Sequence, residues 1–131
     1  MTLNALNPPA LPTPTGYSQV VVATGSRTIF VAGQVSLDRE GNLVAPGDAV
    51  GQARQAFSNF RSAVEAAGAS IEDVTKITWY VVGYRSELLP ELAAARNSVF
   101  DGHAPASTLV GVSALAQPQF LVEVEGIAVF D

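Results

Sequence analysis

Hydrophobic and polar positions follow two periods along the chain, and these periods predict its helices and strands. Apolar residues recur every three or four positions from Val50 to Ala67, the spacing of an amphipathic helix of about five turns. Asp48 is a suitable N-cap for this helix, and Gly68 stands where a left-handed residue commonly follows a helix end. The sequence therefore predicts a long helix that begins after Asp48 and ends before Gly68.

The other segments are shorter, and apolar runs bounded by turn signals predict strands in most of them. The predicted strands are 19–23, 27–32, Val74–Val82, 107–112 and 120–130, and residues 88–100 form a second predicted helix. Val74–Val82 carries large side chains on both faces, so we expect a central strand covered on both sides. Residues 1–16 include four prolines, which predict an extended surface segment: Pro8, Pro9, Pro12 and Pro14.

The order of these elements, β-β-α-β-α-β-β, predicts a single α+β domain over residues 1–131 with both helices on one face of the sheet. Of the 131 residues, 48% are hydrophobic and only 15% are charged. Such a chain can build one compact core, and its low charge suggests that partner subunits cover some apolar surface. Because no third helix is available for the second face of the sheet, we expect self-association to cover it.

Charge and composition exclude several classes of function. Seven Lys and Arg against twelve Asp and Glu give a net charge of −5, and Lys76 is the only lysine, so nucleic-acid binding is not expected. The absence of cysteine excludes thiolate metal sites, and His103 alone cannot form a multi-histidine site. We find no nucleotide-binding, serine-hydrolase or zinc-protease motif. Without a signal peptide or a membrane-spanning apolar run, the sequence predicts a cytoplasmic protein.

The most informative polar pair is Glu123 and Glu125, which share one face of the last predicted strand with Leu121 and Ile127. Apolar surroundings raise the pKa of a carboxyl group, and a raised pKa suits acid–base chemistry. The alternative is a sheet edge or subunit seam at which arginines pair with both acids. The pattern alone favours this alternative.

Other candidate residues are open to two interpretations each. Tyr17 either walls a pocket or simply packs, and Gly33 either lets backbone approach a ligand or permits a bulge. Ser107 stands four residues after His103, but no acid is evident to orient a Ser–His pair, so we expect His103 to be a solvated loop residue. Arg96 is expected on the solvated face of the second helix.

Several segments, taken in order, resemble the RidA/YjgF family of small imine and enamine deaminases. The resemblance covers nearly the whole chain, and it rests on the ordered set rather than on one motif. The matching segments are Asn7-Pro8, Gly16-Tyr17-Ser18-Gln19, Ile29-Phe30-Val31-Ala32-Gly33-Gln34-Val35, Gln52 with Gln55 and Asn59, Ala66-Ala67-Gly68-Ala69-Ser70, Asp73-Val74-Thr75-Lys76, Pro105-Ala106-Ser107-Thr108 and Val122-Glu123-Val124-Glu125-Gly126-Ile127-Ala128.

The resemblance implies a chorismate-mutase-like α+β fold that assembles as a homotrimer, with helices outside and ligand pockets between subunits. It also implies hydrolysis of reactive 2-imino acids to 2-oxo acids and ammonia, with no cofactor and no metal. Carried over by position, Glu123 positions or activates the attacking water, and Tyr17 and Gly33 line the pocket. The implied partners are a small-molecule substrate and two copies of the chain, with no nucleic acid and no membrane.

This sequence departs from the family at the substrate-binding arginine, whose position is taken by Ser107. Serine cannot form the bidentate ion pair that arginine makes with a carboxylate. The Asn-x-x-Tyr pattern of the second helix is also missing, and Ala93 and Arg96 fall there. Arg96 or Arg85 is the candidate to replace the lost arginine in space. Two hypotheses follow: a deaminase with altered substrate preference that uses Glu123 in an intersubunit cleft, or a non-enzymatic homotrimer that binds a small metabolite between subunits.

Overall fold

The computed structural model describes residues 2–131, which form six strands, two α-helices and two short 3-10 helices. The strands are β1 (Thr2–Leu6), β2 (Val20–Thr24), β3 (Arg27–Val35), β4 (Val74–Val82), β5 (Ala106–Val112) and β6 (Val122–Phe130). The α-helices are α1 (Ala49–Ala66) and α2 (Leu89–Phe100), and the 3-10 helices are Ile71–Asp73 and Ser86–Leu88.

A four-stranded mixed sheet with the strand order β3-β6-β4-β5 lies at the centre of the molecule. Strands β4 and β5 are parallel, whereas β6 runs antiparallel to both of its neighbours. Strands β1 and β2 form a separate antiparallel pair. Helix α1 packs on β3 and β6, and α2 packs beside α1. The predicted α+β architecture, with two helices on one face of the sheet, is confirmed.

Helix α1 has the bounds and the buried face that the sequence predicts. The Asp48 Oδ1 atom accepts a hydrogen bond from the Gly51 N–H at 3.0 Å, which caps the first turn. Its buried stripe includes Phe57, Phe60 and Val64, which pack on the sheet. At the far end, Gly68 adopts a φ of +88° and lets the chain leave the helix.

One buried polar side chain, Gln52, connects α1 to two loops. Its Nε2 donates to the carbonyls of Ala45 at 3.3 Å and Gln119 at 3.1 Å. Its Oε1 accepts from the Leu121 N–H at 2.9 Å. The buried amide therefore pairs with three backbone groups of two loops, and it fixes the chain just before β6 begins.

The first strands differ from the sequence prediction in two respects. Residues 2–6 were expected only as part of an extended surface segment, but they form β1 and pair with β2 in antiparallel register. The partner lies beyond the proline-rich stretch, so no local pattern signals the pairing. Strand β3 does not end at Gly33 but continues to Val35, because a register shift between Val31 and Gln34 absorbs the irregularity.

The face of the sheet opposite the helices is uncovered in the single chain. Phe30 on β3 is 78% exposed, and its register partner is Ile127 on β6. Strand β4 is central, as predicted, and its residues Val74, Ile77, Trp79 and Val81 are buried in the core on the helix side. Its alternate residues are half-buried, so the expected cover on the second face is not supplied by this chain.

Candidate functional site

Glu123 on β6 lies against the backbone of Gly33 on β3. A Cβ built on Gly33 would come within 2.6 Å of the Glu123 Cδ and 2.8 Å of its Oε2. Only glycine leaves this room, and Gly33 sits where the β3–β6 register shifts. The structure thus brings two of the sequence-predicted site residues into direct contact, and Gly33 both permits a bulge and leaves space for the carboxylate.

The surroundings of Glu123 favour its protonated form. Burial raises the pKa of the Glu123 carboxyl group, and the nearby charge of Glu125 raises it further. Glu125 in turn accepts a hydrogen bond from the Tyr80 hydroxyl. This hydrogen bond is the main cause of a raised pKa for Tyr80, followed by burial. Within residues 2–131 no arginine or lysine pairs with either acid, so the single chain lacks the arginine-paired seam that the pattern favoured.

Tyr17 and Ser107 line a different space, a cavity of about 900 Å³ on the helix side of the sheet. Helix α2, the turn before it, the segment 15–19 and strands β4 and β5 form its walls. Aromatic and apolar side chains dominate these walls, and a few polar groups interrupt them. The lining includes Tyr17, Trp79, Tyr84, Arg96, Asn97 and Ser107.

The two groups of candidate residues lie on opposite faces of the sheet. Ser107 is in register with Ile77, whose side chain is buried under the helices. Glu123 is in register with Tyr80, which belongs to the uncovered face. The structure therefore pairs Glu123 with Gly33 and Tyr17 with Ser107, but a single chain does not bring the two pairs into one pocket.

Arg96 does not lie on a solvated face, and that expectation is wrong. The residue is only 6% exposed, and burial lowers the pKa of its guanidinium. Its Nε donates to Asn97 Oδ1 at 3.2 Å, and its Cζ lies 5.8 Å from the centroid of the Trp79 ring. Arg85, the other candidate, is exposed and outside the cavity wall.

The spacing of apolar residues in α2 is a sequence signal that places Arg96 on the buried face of the helix. Leu92, Ala95, Val99 and Phe100 are the buried apolar residues of this helix, and Arg96 falls among them at helical spacing. A basic residue within a buried stripe signals a group that faces an internal space rather than water.

His103 is a structural residue rather than a solvated one. Its Nε2 lies 2.7 Å from the Val74 carbonyl oxygen, and the side chain is half-buried. No hydrogen bond joins it to Ser107 in the part of the chain that the structure describes. The same residues contain no group of three or more His, Asp or Glu that could hold a metal ion. Nor do residues 2–131 include a helix that is both long and apolar enough to cross a membrane.

Comparison with known families accounts for this combination of fold and residues. Residues 8–130 match the family model described as endoribonuclease L-PSP, which covers most of the chain. The chain belongs to this family, which is also called the YjgF/RidA family. The resemblance read from the sequence is therefore confirmed at the level of the family.

Individual relatives support the same assignment. The chain is 31% identical over 127 residues to a 2-iminobutanoate/2-iminopropanoate deaminase from Dermatophagoides farinae, covering 96% of this chain and 95% of the relative. A conserved Rid-family protein of unknown function from Yersinia pestis has a similar structure, with a TM-score of 0.92, 32% identity and coverage of 98% and 99%. Escherichia coli TdcF, crystallised with bound serine, gives a TM-score of 0.68, 30% identity and coverage of 89% and 90%.

Proposed function

We propose that this chain is a hydrolytic deaminase of small reactive imines or enamines, and that Glu123 positions the attacking water. The observation that carries the proposal is the contact between Glu123 and Gly33. The Glu123 carboxyl group, whose pKa is raised, lies against the backbone of Gly33, where no side chain covers it. The similarity to a 2-iminobutanoate/2-iminopropanoate deaminase supplies the reaction type. A carboxylate with a raised pKa is a stronger base than an ordinary one.

The proposed reaction adds water across a C=N bond and needs no cofactor. Glu123 accepts a proton from water while the water oxygen bonds to the imine carbon. That proton then passes to the nitrogen, which gives a carbinolamine. As the C–N bond breaks, the remaining water proton moves from the hydroxyl to the nitrogen, so ammonia leaves and the carbon becomes a carbonyl. A 2-imino acid and one water thus give a 2-oxo acid and ammonia, with no change in redox state.

The proposed active unit is a homotrimer, because the two half-sites of one chain lie on opposite faces of its sheet. Glu123 and Gly33 on the uncovered face would meet Tyr17 and Ser107 of a neighbouring chain. The exposed Phe30 on that face supports an apolar contact between copies. The family resemblance supports three chains and small-molecule substrates without nucleic acid.

Substrate preference is proposed to differ from that of members that carry the family arginine on β5. Ser107 lines the cavity with a short neutral side chain and gives no charge to a substrate carboxylate. The structural relative TdcF binds serine, an amino acid with such a carboxylate. A carboxylate in this cavity must therefore be held by other groups, or the preferred substrate lacks one.

Hydrolysis of 2-iminopropanoate tests the function directly. The imine is generated in situ by an amino-acid oxidase, and the rate above spontaneous hydrolysis is compared for native protein, Glu123→Gln and Ser107→Arg. We expect Glu123→Gln to lower kcat by about 100-fold or more, because the water loses its base. Glu87→Gln, which removes an exposed glutamate, is the matched control and leaves the rate unchanged.

The outcomes of this assay separate the candidate functions. Activity in the native protein supports the proposal, provided that Glu123→Gln removes it. Activity only in Ser107→Arg means that the scaffold is intact but tuned to a substrate without a carboxylate. Inactivity of both, together with saturable ligand binding, favours the second candidate, a non-enzymatic homotrimer that binds a small metabolite. The neutral Ser107 side chain in the cavity wall is the observation behind that candidate.

Subunit mixing tests where the site lies. Chains with Glu123→Gln and chains with Tyr17→Ala are inactive alone under the proposal, because each lacks one half-site. When the two are unfolded together and refolded, random assembly restores both halves at about a quarter of the interfaces. Recovery of about a quarter of native activity supports a shared site, and no recovery places Glu123 and Tyr17 in the same chain's site or in different functions.

A further inference from the structure

We propose that Arg96 and Trp79 form the anion-binding end of the helix-side cavity and that they hold the carboxylate of a small organic acid. This inference rests on the proposed function only for the identity of that acid as a substrate. The binding itself follows from two buried groups that lack partners in the chain. It assigns to α2 and β4 the charge recognition that Ser107 on β5 cannot provide.

The guanidinium of Arg96 is buried without an opposite charge. Its Nε is engaged by Asn97 Oδ1, but the two terminal nitrogens have no hydrogen-bond acceptor and no carboxylate partner within residues 2–131. Arginine keeps its proton even where burial lowers its pKa, so the charge remains in the cavity wall. The two free nitrogens present the planar fork that pairs with both oxygens of a carboxylate.

Trp79 provides an independent sign of a missing acceptor. The residue is 1% exposed and lines the same cavity, and its indole Nε1–H has no hydrogen-bond partner in the described structure. Buried indole N–H groups usually have a partner, so this one indicates a group that arrives from outside the chain. The Arg96 Cζ lies 5.8 Å from the centroid of the Trp79 ring, so the two side chains border the same part of the cavity.

The rest of the cavity indicates the chemistry of the ligand. Tyr17, Tyr84 and Leu109 line it with aromatic and apolar surface, and Ser107 adds one hydroxyl. Gly16 adopts a φ of +75°, and a Cβ there would overlap the terminal nitrogen of Arg96. The glycine thus leaves the space that the guanidinium occupies. These features fit a monocarboxylate with a short apolar chain better than a polyanion, which would need more than one positive group.

The single tryptophan of the chain makes the site observable without any enzyme assay. In a ¹H–¹⁵N spectrum of the full-length protein, the Trp79 indole gives one isolated N–H signal. Titration with butanoate should move this signal downfield as the N–H gains a charged acceptor. Butanamide has the same shape without the charge, and we expect at least about a tenfold weaker shift response from it.

Variants of Arg96 and Trp79 test the assignment by calorimetry with butanoate. Arg96→Met should weaken binding by about 30-fold or more, and Arg96→Lys by less, because it keeps the charge but loses the fork. Trp79→Phe keeps the ring and should weaken binding by about fivefold. Arg54→Met, at an exposed arginine, is the matched control and leaves binding unchanged. The methyl region of each spectrum reports whether the variant is folded, and Arg96→Lys remains informative if Arg96→Met is not.

The results distinguish this inference from the proposed function. Glu87→Gln, at an exposed glutamate outside the cavity wall, should bind butanoate as the native protein does. Butanoate binding that depends on Arg96, without any imine hydrolysis, supports the clamp and overturns the deaminase proposal. Imine hydrolysis with a KM that Arg96→Lys does not change overturns the clamp and leaves the deaminase. An indole signal that responds equally to butanoate and butanamide, or to neither, also overturns it.

Discussion

Glu123 rests on Gly33 so closely that a single added carbon on the glycine would reach the glutamate carboxyl carbon, at 2.6 Å. The atoms that would collide belong to the flexible end of the glutamate side chain rather than to the backbone. A larger residue at position 33 therefore displaces the carboxylate more readily than it disturbs the sheet. A substitution at Gly33 therefore tests the position of the Glu123 carboxylate with little change in the stability of the fold.

Gly33→Ala should lower imine hydrolysis by about 10- to 100-fold, since a displacement of about 1 Å suffices for such a loss. Stability in urea should change little, because the glutamate end can move aside. The kinetic assay of the single variant is combined with Glu123→Gln in a double-mutant cycle. In the Glu123→Gln background, the alanine should cause no further loss, and an additive loss would contradict the proposed action through Glu123.

The activity should have an acidic limit set by Glu123. Because burial and Glu125 raise its pKa, the carboxylate takes up a proton at a pH above the ordinary glutamate value of 4.5. The water-positioning form is therefore lost as the pH falls through that raised value. A pH profile of kcat measures this limit. Replacing Glu125 by Gln should shift the limit to lower pH, and an unchanged profile would contradict the role of the neighbouring charge.

The same raised pKa predicts a pH-dependent stability difference. The folded chain holds the Glu123 proton more tightly than the unfolded chain, so stability from this group falls as pH rises from the unfolded to the folded pKa. Above that range, the charge destabilises the fold. Glu123→Gln should thus stabilise the chain near neutral pH, by less than about 1 kcal/mol because water still reaches the group. Urea titrations measure the free energy of unfolding of both chains at neutral pH and at about pH 4. The variant should be the more stable chain at neutral pH only.

Gln52→Leu should destabilise the fold by about 1–3 kcal/mol, because the hydrogen bonds of a fully buried amide to the Gln119 carbonyl and the Leu121 N–H are lost. Urea denaturation followed by circular dichroism measures the change. The matched control is Gln55→Leu, which removes one side-chain hydrogen bond to Asn59 and should cost under about 1 kcal/mol. Equal losses at the two positions would show that the three-way connection of Gln52 is not a main source of stability.

Phe30→Ser should break the proposed homotrimer, since this side chain is the most exposed large apolar group of the uncovered sheet face. Sedimentation velocity should show native protein at three times 13.6 kDa and the variant at smaller mass. Leu11→Ser is the control, because Leu11 is 45% exposed but lies in the proline-rich segment. Sedimentation of the native protein as a monomer would contradict the proposal that two chains share one active site.

Sequence patterns predicted the elements whose signals are local. Helix α1 appeared with its Asp48 cap and its buried stripe, and Val74–Val82 has the bounds that were predicted. Strand β1 was missed because its pairing with Val20–Thr24 depends on a partner beyond four prolines. The extension of β3 past Gly33 was missed for a related reason. A bulge is defined by the register with β6, which no single segment contains.

The sequence named candidate site residues, but it did not show how they are arranged. The period of two along β6 placed Glu123 and Glu125 on one face, and that face is the uncovered one. Proximity of Glu123 to Gly33 depends on strand order, and burial of Arg96 depends on how α2 sits over Trp79. Neither relationship follows from local spacing, since both join residues that are far apart in the sequence.

Placing Ser107 and Glu123 on opposite faces of one sheet has a consequence for how activity responds to dilution. If catalysis needs both faces, an isolated chain contributes nothing, and the rate per milligram falls once the protein is diluted below its assembly constant. The decline would be steeper than first order in protein concentration and would reverse on concentration. Under the proposal, the amount of protein in a cell would thus control not only how much enzyme there is but also what fraction of it works.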